Sequence, residues 1–187
     1  FPEVFVDLRK RDWAENPGFD AVIGNPPYVS ISELSLRERE YLKAAYAEIF
    51  TGNSDILYYF LALADRLPAK GSWFGVIVAR YFQEAKYARP LRMWLAQRVQ
   101  LRNLVDFRNF QVFGQNVNIL ASIVVLNRMP PDELSSAAIF RITDDRASEA
   151  RIAEALLHRS SSLFEQLECP PPDPTGKPWH FSSKAAN

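Results

Sequence analysis

Phe19-Asp20-Ala21-Val22-Ile23-Gly24-Asn25-Pro26-Pro27-Tyr28 joins an apolar run to a polar amide, two prolines and an aromatic ring. The run Ala21–Asn25 predicts a buried strand. The two prolines fix φ and restrict the residue before them, so they predict a rigid turn at the carboxyl end of that strand. Because ligands of open α/β sheets bind at the carboxyl ends of strands, the stretch predicts a binding site.

The chemistry of residues 25–28, which we call the 25–28 turn, suits a flat ligand that carries an amino group. Asn25 offers a side-chain carbonyl oxygen, and Pro26 offers a backbone carbonyl but no N–H. Two acceptors held side by side can take both hydrogens of one exocyclic amino group. Tyr28 supplies an aromatic face on which a heterocycle can stack.

Downstream of this turn, strand and helix patterns alternate. The first predicted helix opens with the Ser35–Glu38 capping box and has Leu42, Ala45, Tyr46 and Ile49 on one face. Further helices are predicted over Asp55–Leu67, Tyr87–Val99 and Ala147–His158. Strands are predicted over Trp73–Ala79, Leu101–Phe107, Asn118–Asn127 and Ala137–Ile142.

This alternation predicts an α/β fold with a mainly parallel sheet and covering helices. The loop between Leu101–Phe107 and Asn118–Asn127, predicted over Asn109–Asn116, is too short for a parallel crossover. We therefore expect the last strand of the sheet to be antiparallel.

Composition and charge limit the class of protein. The chain has 187 residues, of which 48% are hydrophobic and 24% charged, and its 22 basic and 22 acidic residues cancel. A stand-alone DNA-binding domain usually carries a basic excess, so the chain is not expected to hold DNA unaided. One cysteine, Cys169, favours a reducing compartment, and no signal peptide or apolar run of membrane-spanning length is present.

The Asn25-Pro26-Pro27-Tyr28 motif resembles the catalytic motif of adenine-N6-specific DNA methyltransferases. Phe1–Phe5 and Gly18-Phe19-Asp20 resemble the lead-in of long, multidomain members of type IIG restriction–modification and phage-defence systems. The resemblance extends from Phe1 to about Arg128. It implies the C-terminal half of an S-adenosylmethionine (SAM)-dependent, Rossmann-like methyltransferase fold, with SAM as cofactor and an adenine flipped out of duplex DNA as substrate.

The resemblance also implies roles for individual residues. Asn25, Pro26, Pro27 and Tyr28 would be catalytic, and Tyr28 would stack on the flipped base together with an aromatic residue of the loop that precedes the last strand. Phe113 is our first choice for that residue and Phe110 the second, against a role as buried loop anchors. Phe60 and Asn25 would contact SAM, although Phe60 and its neighbours Tyr58 and Tyr59 also suit a plain hydrophobic core.

Other candidate residues depend on position alone. Asp106 ends a predicted strand, where it would either contact substrate or cap the following loop. Tyr81 and Phe82 follow another strand and are expected to line the cleft. His158 and His180 are expected at the surface, and no spacing of ligand residues predicts a metal site.

The family's SAM-binding glycine loop is not found among the 7 glycines, so we expect it upstream of Phe1, in a longer protein. The predicted organisation is a catalytic half over 1–128, an extension over 129–168, and a proline-rich linker over 169–187 toward a target-recognition domain. Expected partners are double-stranded DNA and a target-recognition domain of the same polypeptide or a specificity subunit, in a bacterial or archaeal cytoplasm, with no membrane. Whether a nuclease is fused to the protein is left open.

Two other functions share these features. The same turn serves enzymes that methylate a glutamine amide of release factors, but those are compact and lack the Phe1–Phe5 lead-in. Alternatively, a degenerate domain without the glycine loop would act as a DNA-binding or scaffold part of a defence complex. The intact 25–28 turn argues against that second function.

Overall fold

The computed structural model describes residues 1–114, 119–132, 136–158 and 162–183. Its helices are α1 Pro2–Phe5, α2 Leu36–Ala45, α3 Ile56–Ala62, α4 Arg89–Arg98 and α5 Glu149–Leu157. Its strands are β1 Val6–Asp7, β2 Asp12–Trp13, β3 Phe19–Gly24, β4 Pro68–Ala79, β5 Gln100–Asp106, β6 Ala121–Asn127, β7 Ala137–Ile142, β8 Phe164–Cys169 and β9 Ser182–Ser183. Across those ranges, none of the helices has the length and apolar character needed to cross a membrane.

Seven strands form one sheet in the order β3-β4-β6-β5-β7-β8-β9, and β1 and β2 form a separate hairpin. The β3–β4 and β5–β7 pairs are parallel, and the remaining pairs of neighbours are antiparallel. Consequently β3, β4, β5, β7 and β9 point one way and β6 and β8 point the other. The predicted α/β class and the antiparallel strand after Leu101–Phe107 are confirmed. The parallel pairings are fewer than we expected, because β6 is inserted between β4 and β5.

Helices cover both faces of the sheet. Side chains of α3 and α4 pack with Phe74, Val76 and Val78 in one apolar cluster. Val105, Ala121 and the apolar side of α5 form a second cluster on the opposite face. Alternation of side chains along each strand produces this division. Val76 and Val78 therefore face one layer, and Ile77 packs against the other.

Local sequence signals account for the helix ends. Ser35 and Glu38 form the predicted capping box, in which Ser35 Oγ accepts the Glu38 N–H at 3.3 Å and Glu38 Oε2 accepts the Ser35 N–H at 2.8 Å. Pro90 lies in the first turn of α4, where its missing N–H removes no helical bond. The Ala137–Ile142 strand has the predicted bounds, and α5 begins after Ser148, which caps it.

The predicted end of α3 and the predicted starts of β4 and β6 were wrong. Helix α3 ends at Ala62 and continues only as a 3₁₀ turn over Leu63–Asp65, because β4 begins at Pro68, five residues before the predicted start. Gly71 lies inside β4 at φ +84°, next to a shift in the β3–β4 register. The strand predicted over Asn118–Asn127 is found over Ala121–Asn127. Residues 115–118, at the end of the predicted loop and the start of that strand, lie outside the described residues.

The expected burial of β3 was also wrong. Ala21 is exposed, and Ile23 is 87% exposed. The reason is that β3 is the edge strand of this sheet and has β4 as its one strand neighbour among the described residues. Proteins normally cover or protect an exposed, apolar edge strand of this kind.

The C-terminal segment contains structure that the sequence did not indicate. Phe164–Cys169 is a strand paired with β7, where we predicted no element. Beyond it the chain returns to α4, and the Arg92 guanidinium donates to the carbonyl oxygens of Gly176 at 3.0 Å and Lys177 at 3.1 Å. Trp179 is buried and its ring contacts Phe82 edge to face at 5.3 Å. Residues 176–179 are therefore packed on the domain; whether the segment leads to a target-recognition domain stays a prediction.

Candidate active site

The 25–28 turn follows β3 directly, at the carboxyl edge of the sheet. Strands β4 and β5 point the same way as β3, so the segments that follow them reach the same edge. Tyr81 follows β4, and the loop 107–114 follows β5. The fold thus brings three separated pieces of sequence to one edge, where ligands of such sheets bind.

Asn25 and Pro27 are exposed, Pro26 is buried, and Tyr28 is half-buried. The Tyr28 hydroxyl lies 3.5 Å from Asn25 Oδ1 and 3.3 Å from the backbone oxygen of Ile77 in β4. Within the described ranges, the Pro26 carbonyl oxygen accepts no hydrogen bond. The turn therefore presents one amide oxygen with a single long contact and one carbonyl oxygen without a partner from these residues.

The rings of Tyr28 and Phe113 are in contact. Their centroids are 5.6 Å apart at an interplanar angle of 64°, an edge-to-face arrangement. Phe110 instead packs near Phe107, at 6.3 Å between centroids. The structure thus brings our first choice for a base-stacking partner beside Tyr28 and directs the second choice away from it. Because the two rings touch, a base enters between them only if Phe113 moves.

Phe60 lies on α3 and is half-buried. Its neighbours Tyr58 and Tyr59 are 2% and 3% exposed and belong to the main apolar cluster, whereas Phe60 belongs to neither described cluster. The plain core interpretation therefore fits Tyr58 and Tyr59. Phe60 keeps a free side for a ligand, and its role as a SAM contact stays a prediction.

Asp106 is buried at the end of β5 and holds the loop that follows. Its carboxylate accepts the Arg108 backbone N–H at 3.0 Å and the Arg141 Nε–H at 3.1 Å, and it lies 3.5 Å from the Arg80 guanidinium. These bonds favour loop capping over substrate contact. Phe82 is fully buried, so its predicted place in the cleft was wrong, whereas Tyr81 is 43% exposed.

Sequence reasoning missed a cluster of tyrosines around Asp55. The Tyr81 hydroxyl donates to Asp55 Oδ2 at 2.5 Å, and the Tyr58 and Tyr81 rings are 6.5 Å apart. The predicted helix began at Asp55, which instead caps α3, and its partner Tyr81 is 26 residues away and carries no local signal.

Burial controls the ionisation of this cluster. Burial, aided by the Asp55 charge, raises the pKa of Tyr28 and of Tyr58 to about 12. Burial and the Asp55 hydrogen bond raise the pKa of Tyr81 as well. Burial also raises the pKa of Asp55, against the opposing effect of its bonds from Leu57 and Tyr81. The three phenols are therefore neutral at physiological pH and act as hydrogen-bond donors or stacking surfaces, not as bases.

The part of the chain that the structure describes offers neither a cluster of metal ligands nor an activated thiol. Over the ranges that the structure describes, no group of three or more His, Cys, Asp or Glu side chains could hold a metal ion. Cys169 is buried, and burial raises the pKa of its thiol to about 11, the opposite of what an activated nucleophile requires.

The fold is that of SAM-dependent methyltransferases. A structure assigned to class I of these enzymes, from Listeria monocytogenes, superposes with a TM-score of 0.54 at 13% identity over 77% of this chain and 42% of that one. The model of the Eco57I restriction-modification methylase family matches residues 1–113, more than half of the chain. The chain therefore belongs to that family.

Two curated relatives of this chain are named as type II methyltransferases. The type II methyltransferase M.XhoI of Xanthomonas vasicola is 31% identical over 117 residues, which are 60% of this chain and 20% of that protein. The type II methyltransferase M.BstVI of Geobacillus stearothermophilus is 24% identical over 133 residues, 71% of this chain and 24% of that protein. The chain thus spans about a quarter or less of the length of these relatives.

Two larger restriction–modification enzymes share the fold. The type IIG restriction endonuclease BpuSI superposes with a TM-score of 0.52 at 15% identity, over 88% of this chain and 19% of that one. The ATP-dependent type ISP restriction–modification enzyme LlaBIII, solved bound to DNA, superposes with a TM-score of 0.56 at 13% identity, over 85% of this chain and 12% of that one. In both, the matched region is a minor part of the polypeptide.

Proposed function

We propose that this chain is the catalytic half of a site-specific DNA methyltransferase that transfers a methyl group from SAM to the N6 amino group of adenine, within a restriction–modification or phage-defence system. The observation that carries the proposal is the pair of acceptors in the 25–28 turn. Asn25 Oδ1 has one long contact and Pro26 O accepts no bond from the described residues, at the sheet edge where ligands bind. An exocyclic amino group has two hydrogens to match them.

The acceptors account for activation of the amine. The lone pair of N6 is delocalised into the adenine ring, which makes the nitrogen a poor nucleophile. Asn25 Oδ1 and Pro26 O accept the two N6 hydrogens, draw the nitrogen toward tetrahedral geometry and concentrate its lone pair toward the methyl donor. No strong base is required before attack, because the positively charged nitrogen of the product loses its proton readily.

The target base leaves the duplex before it reaches these acceptors, at a cost of a few kcal/mol for unstacking and unpairing. Stacking on an aromatic side chain offsets about 1–3 kcal/mol per contact. Tyr28 supplies one face, and Phe113, once it moves out of edge-to-face contact, supplies the other. Both rings belong to segments that leave the same sheet edge, so they present the base to Asn25.

SAM fits the residues that surround the turn. Phe60, half-buried and outside the core clusters, would offer an aromatic wall for its adenine ring, and Asn25 would hold the amine that the methyl group must reach. When bound, SAM supplies the electrophilic methyl group. We propose that the remainder of its site is provided by sequence upstream of residue 1, which is consistent with the exposed apolar edge of β3.

The proposed partners follow from DNA as substrate. With 22 basic and 22 acidic residues, the chain has no charge excess for duplex binding, so other parts of the protein supply phosphate and base contacts. We propose a target-recognition domain in the same polypeptide or a separate specificity subunit, with or without a nuclease, in the cytoplasm of a bacterium or archaeon. The family match does not favour the release-factor glutamine methyltransferase as an alternative.

The identity of the product tests the proposal. The full-length protein is incubated with SAM that carries a labelled methyl group and with unmethylated bacterial DNA, and the DNA is digested to nucleosides and analysed by mass spectrometry. Labelled N6-methyladenine is the expected product. Label in cytosine, or label in added release factor but not in DNA, would contradict the assignment of substrate.

A further inference from the structure

Asp55 connects three separate elements beside the 25–28 turn. Its Oδ1 accepts the Leu57 N–H at 2.9 Å and so caps α3. Its Oδ2 accepts the Tyr81 hydroxyl at 2.5 Å, which joins it to the segment that follows β4. Its backbone forms an isolated antiparallel bridge with Ser30, two residues after Tyr28.

Backbone bonds on both sides of Asp55 complete this connection. The Ile31 N–H donates to Ser54 O at 3.2 Å, and the Ile56 N–H donates to Val29 O at 3.0 Å. The three residues that leave the 25–28 turn are therefore paired with the three residues centred on Asp55. Since Tyr28 also donates to Ile77 O in β4, the turn is held between α3 and β4, and the Asp55–Tyr81 bond ties these two supports together.

Helix capping alone does not explain an aspartate at this position. Asn caps helices about as well as Asp and carries no charge that must be desolvated. Among the described residues, no Lys, Arg or His side chain forms an ion pair with Asp55. Besides Tyr81, the ionisable groups that interact with it electrostatically are Tyr28, Tyr58 and Glu33. What the carboxylate adds is a short, charge-assisted bond from Tyr81.

We propose that Asp55 and Tyr81 form a positioning pair that holds the 25–28 turn in register for methyl transfer. The pair acts through the backbone of residues 29–31 and through β4, and it does not touch the reacting atoms. This inference rests on the proposed function, because the reaction that it supports is transfer to an amine held by Asn25 and Pro26. Displacement of a reacting group by about 1 Å is enough to lower a rate about a hundredfold, so a support of this kind controls turnover.

A double-mutant cycle on the single-turnover rate of methyl transfer tests the pair in the full-length protein. Tyr81→Phe removes the hydroxyl and keeps the ring, and Asp55→Asn keeps a cap for α3 and removes the charge. Each change should lower the rate about tenfold or more while the affinity for SAM changes less than about twofold, and the double variant should be no slower than the slower single variant.

Tyr87→Phe is the matched control, because Tyr87 is 50% exposed and makes no hydrogen bond shown for the described residues. Rates that equal wild type, or losses that multiply in the double variant, would overturn the proposal.

Amide hydrogen exchange separates this proposal from the methyltransferase assignment. In Tyr81→Phe, the Ile31 and Ile56 amides should exchange at least about tenfold faster than in wild type, while the amides of β5 and β6 keep their protection. Unchanged protection at Ile31 and Ile56 would overturn the positioning role even if the enzyme methylates DNA. If wild type transfers no methyl group but these amides still become less protected, the coupling stands and the proposed reaction fails.

Discussion

The Tyr28 hydroxyl lies 3.5 Å from the side-chain oxygen of Asn25, a contact at the outer limit of a hydrogen bond. The same hydroxyl is 3.3 Å from the backbone oxygen of Ile77, so its one proton is shared between two distant acceptors and each bond is weak. Asn25 Oδ1 is therefore weakly engaged and free to accept from a ligand. Tyr28 contributes its ring, which the hydroxyl anchors to β4.

Substitution of Tyr28 should separate the ring from the hydroxyl. Tyr28→Phe keeps the stacking surface and should bind a flipped base within about threefold of wild type, because the lost hydrogen bonds are long. Tyr28→Ala removes the ring and should weaken capture by about 10- to 100-fold, which corresponds to about 1–3 kcal/mol of stacking. Fluorescence of 2-aminopurine at the target position of duplex DNA measures this capture. Equal losses in the two variants would assign the effect to the hydroxyl.

The two phenylalanines of the loop 107–114 should differ in effect. Phe113→Leu removes a ring that contacts Tyr28 and should reduce base capture by several-fold with little change in stability. Phe110→Leu removes a ring that packs near Phe107 and should act mainly on the loop's own stability. The same fluorescence assay, with urea denaturation in parallel, distinguishes them. A larger loss of capture in Phe110→Leu would show that the loop rearranges and exchanges the two roles.

Asp55 should make the stability of the fold depend on pH. Because burial raises the pKa of Asp55 above 3.8, the folded state binds its proton more tightly than the unfolded chain does. This contribution to stability is therefore full below the unfolded pKa and is lost as pH rises through the folded value. Asp55→Asn cannot titrate, so its free energy of unfolding relative to wild type should increase between about pH 4 and pH 7. Urea denaturation at the two pH values measures the difference, and a constant difference would show that the carboxyl group does not titrate in this range.

Gly176→Ala tests whether residues 173–179 are packed on the domain. Gly176 has φ +74°, and an added Cβ would lie 2.6 Å from Arg89 O and from Met93 Cγ. Strain of the left-handed backbone alone costs about 1–2 kcal/mol, so with the close contacts the free energy of unfolding should fall by more than about 2 kcal/mol. Gly52→Ala is the control, because nothing lies within 4 Å of its added Cβ, and it should change stability by less than about 0.5 kcal/mol. Equal effects would mean that this segment is a free linker in solution.

Features with a local cause were predictable from the sequence. The Ser35–Glu38 capping box lies within one turn, and the bounds of Ala137–Ile142 follow from an apolar run between turn residues. The antiparallel direction of β6 followed from loop length alone. The 25–28 turn was visible because its residues are consecutive.

Features with a distant cause were not predictable. Arg92 and Gly176 are 84 residues apart, and nothing in either local sequence shows that the guanidinium donates to that carbonyl. The Asp55–Tyr81 bond joins residues that are 26 apart and was missed for the same reason. Burial of β3 was overestimated because an apolar strand is buried only where other elements cover it. The apolar run of β3 does not reveal that this strand lies at the edge of the sheet.

Methyl transfer by Asn25→Ala tests the central claim most directly. Wild type, Asn25→Ala and the control Gln97→Ala, which removes an exposed amide from α4, are compared in the full-length protein for SAM binding and for the single-turnover rate on unmethylated DNA. We predict that Asn25→Ala binds SAM and keeps its melting temperature but loses at least about 100-fold in rate, while Gln97→Ala matches wild type. A rate near that of wild type in Asn25→Ala would contradict activation of the amine by the acceptors of the 25–28 turn.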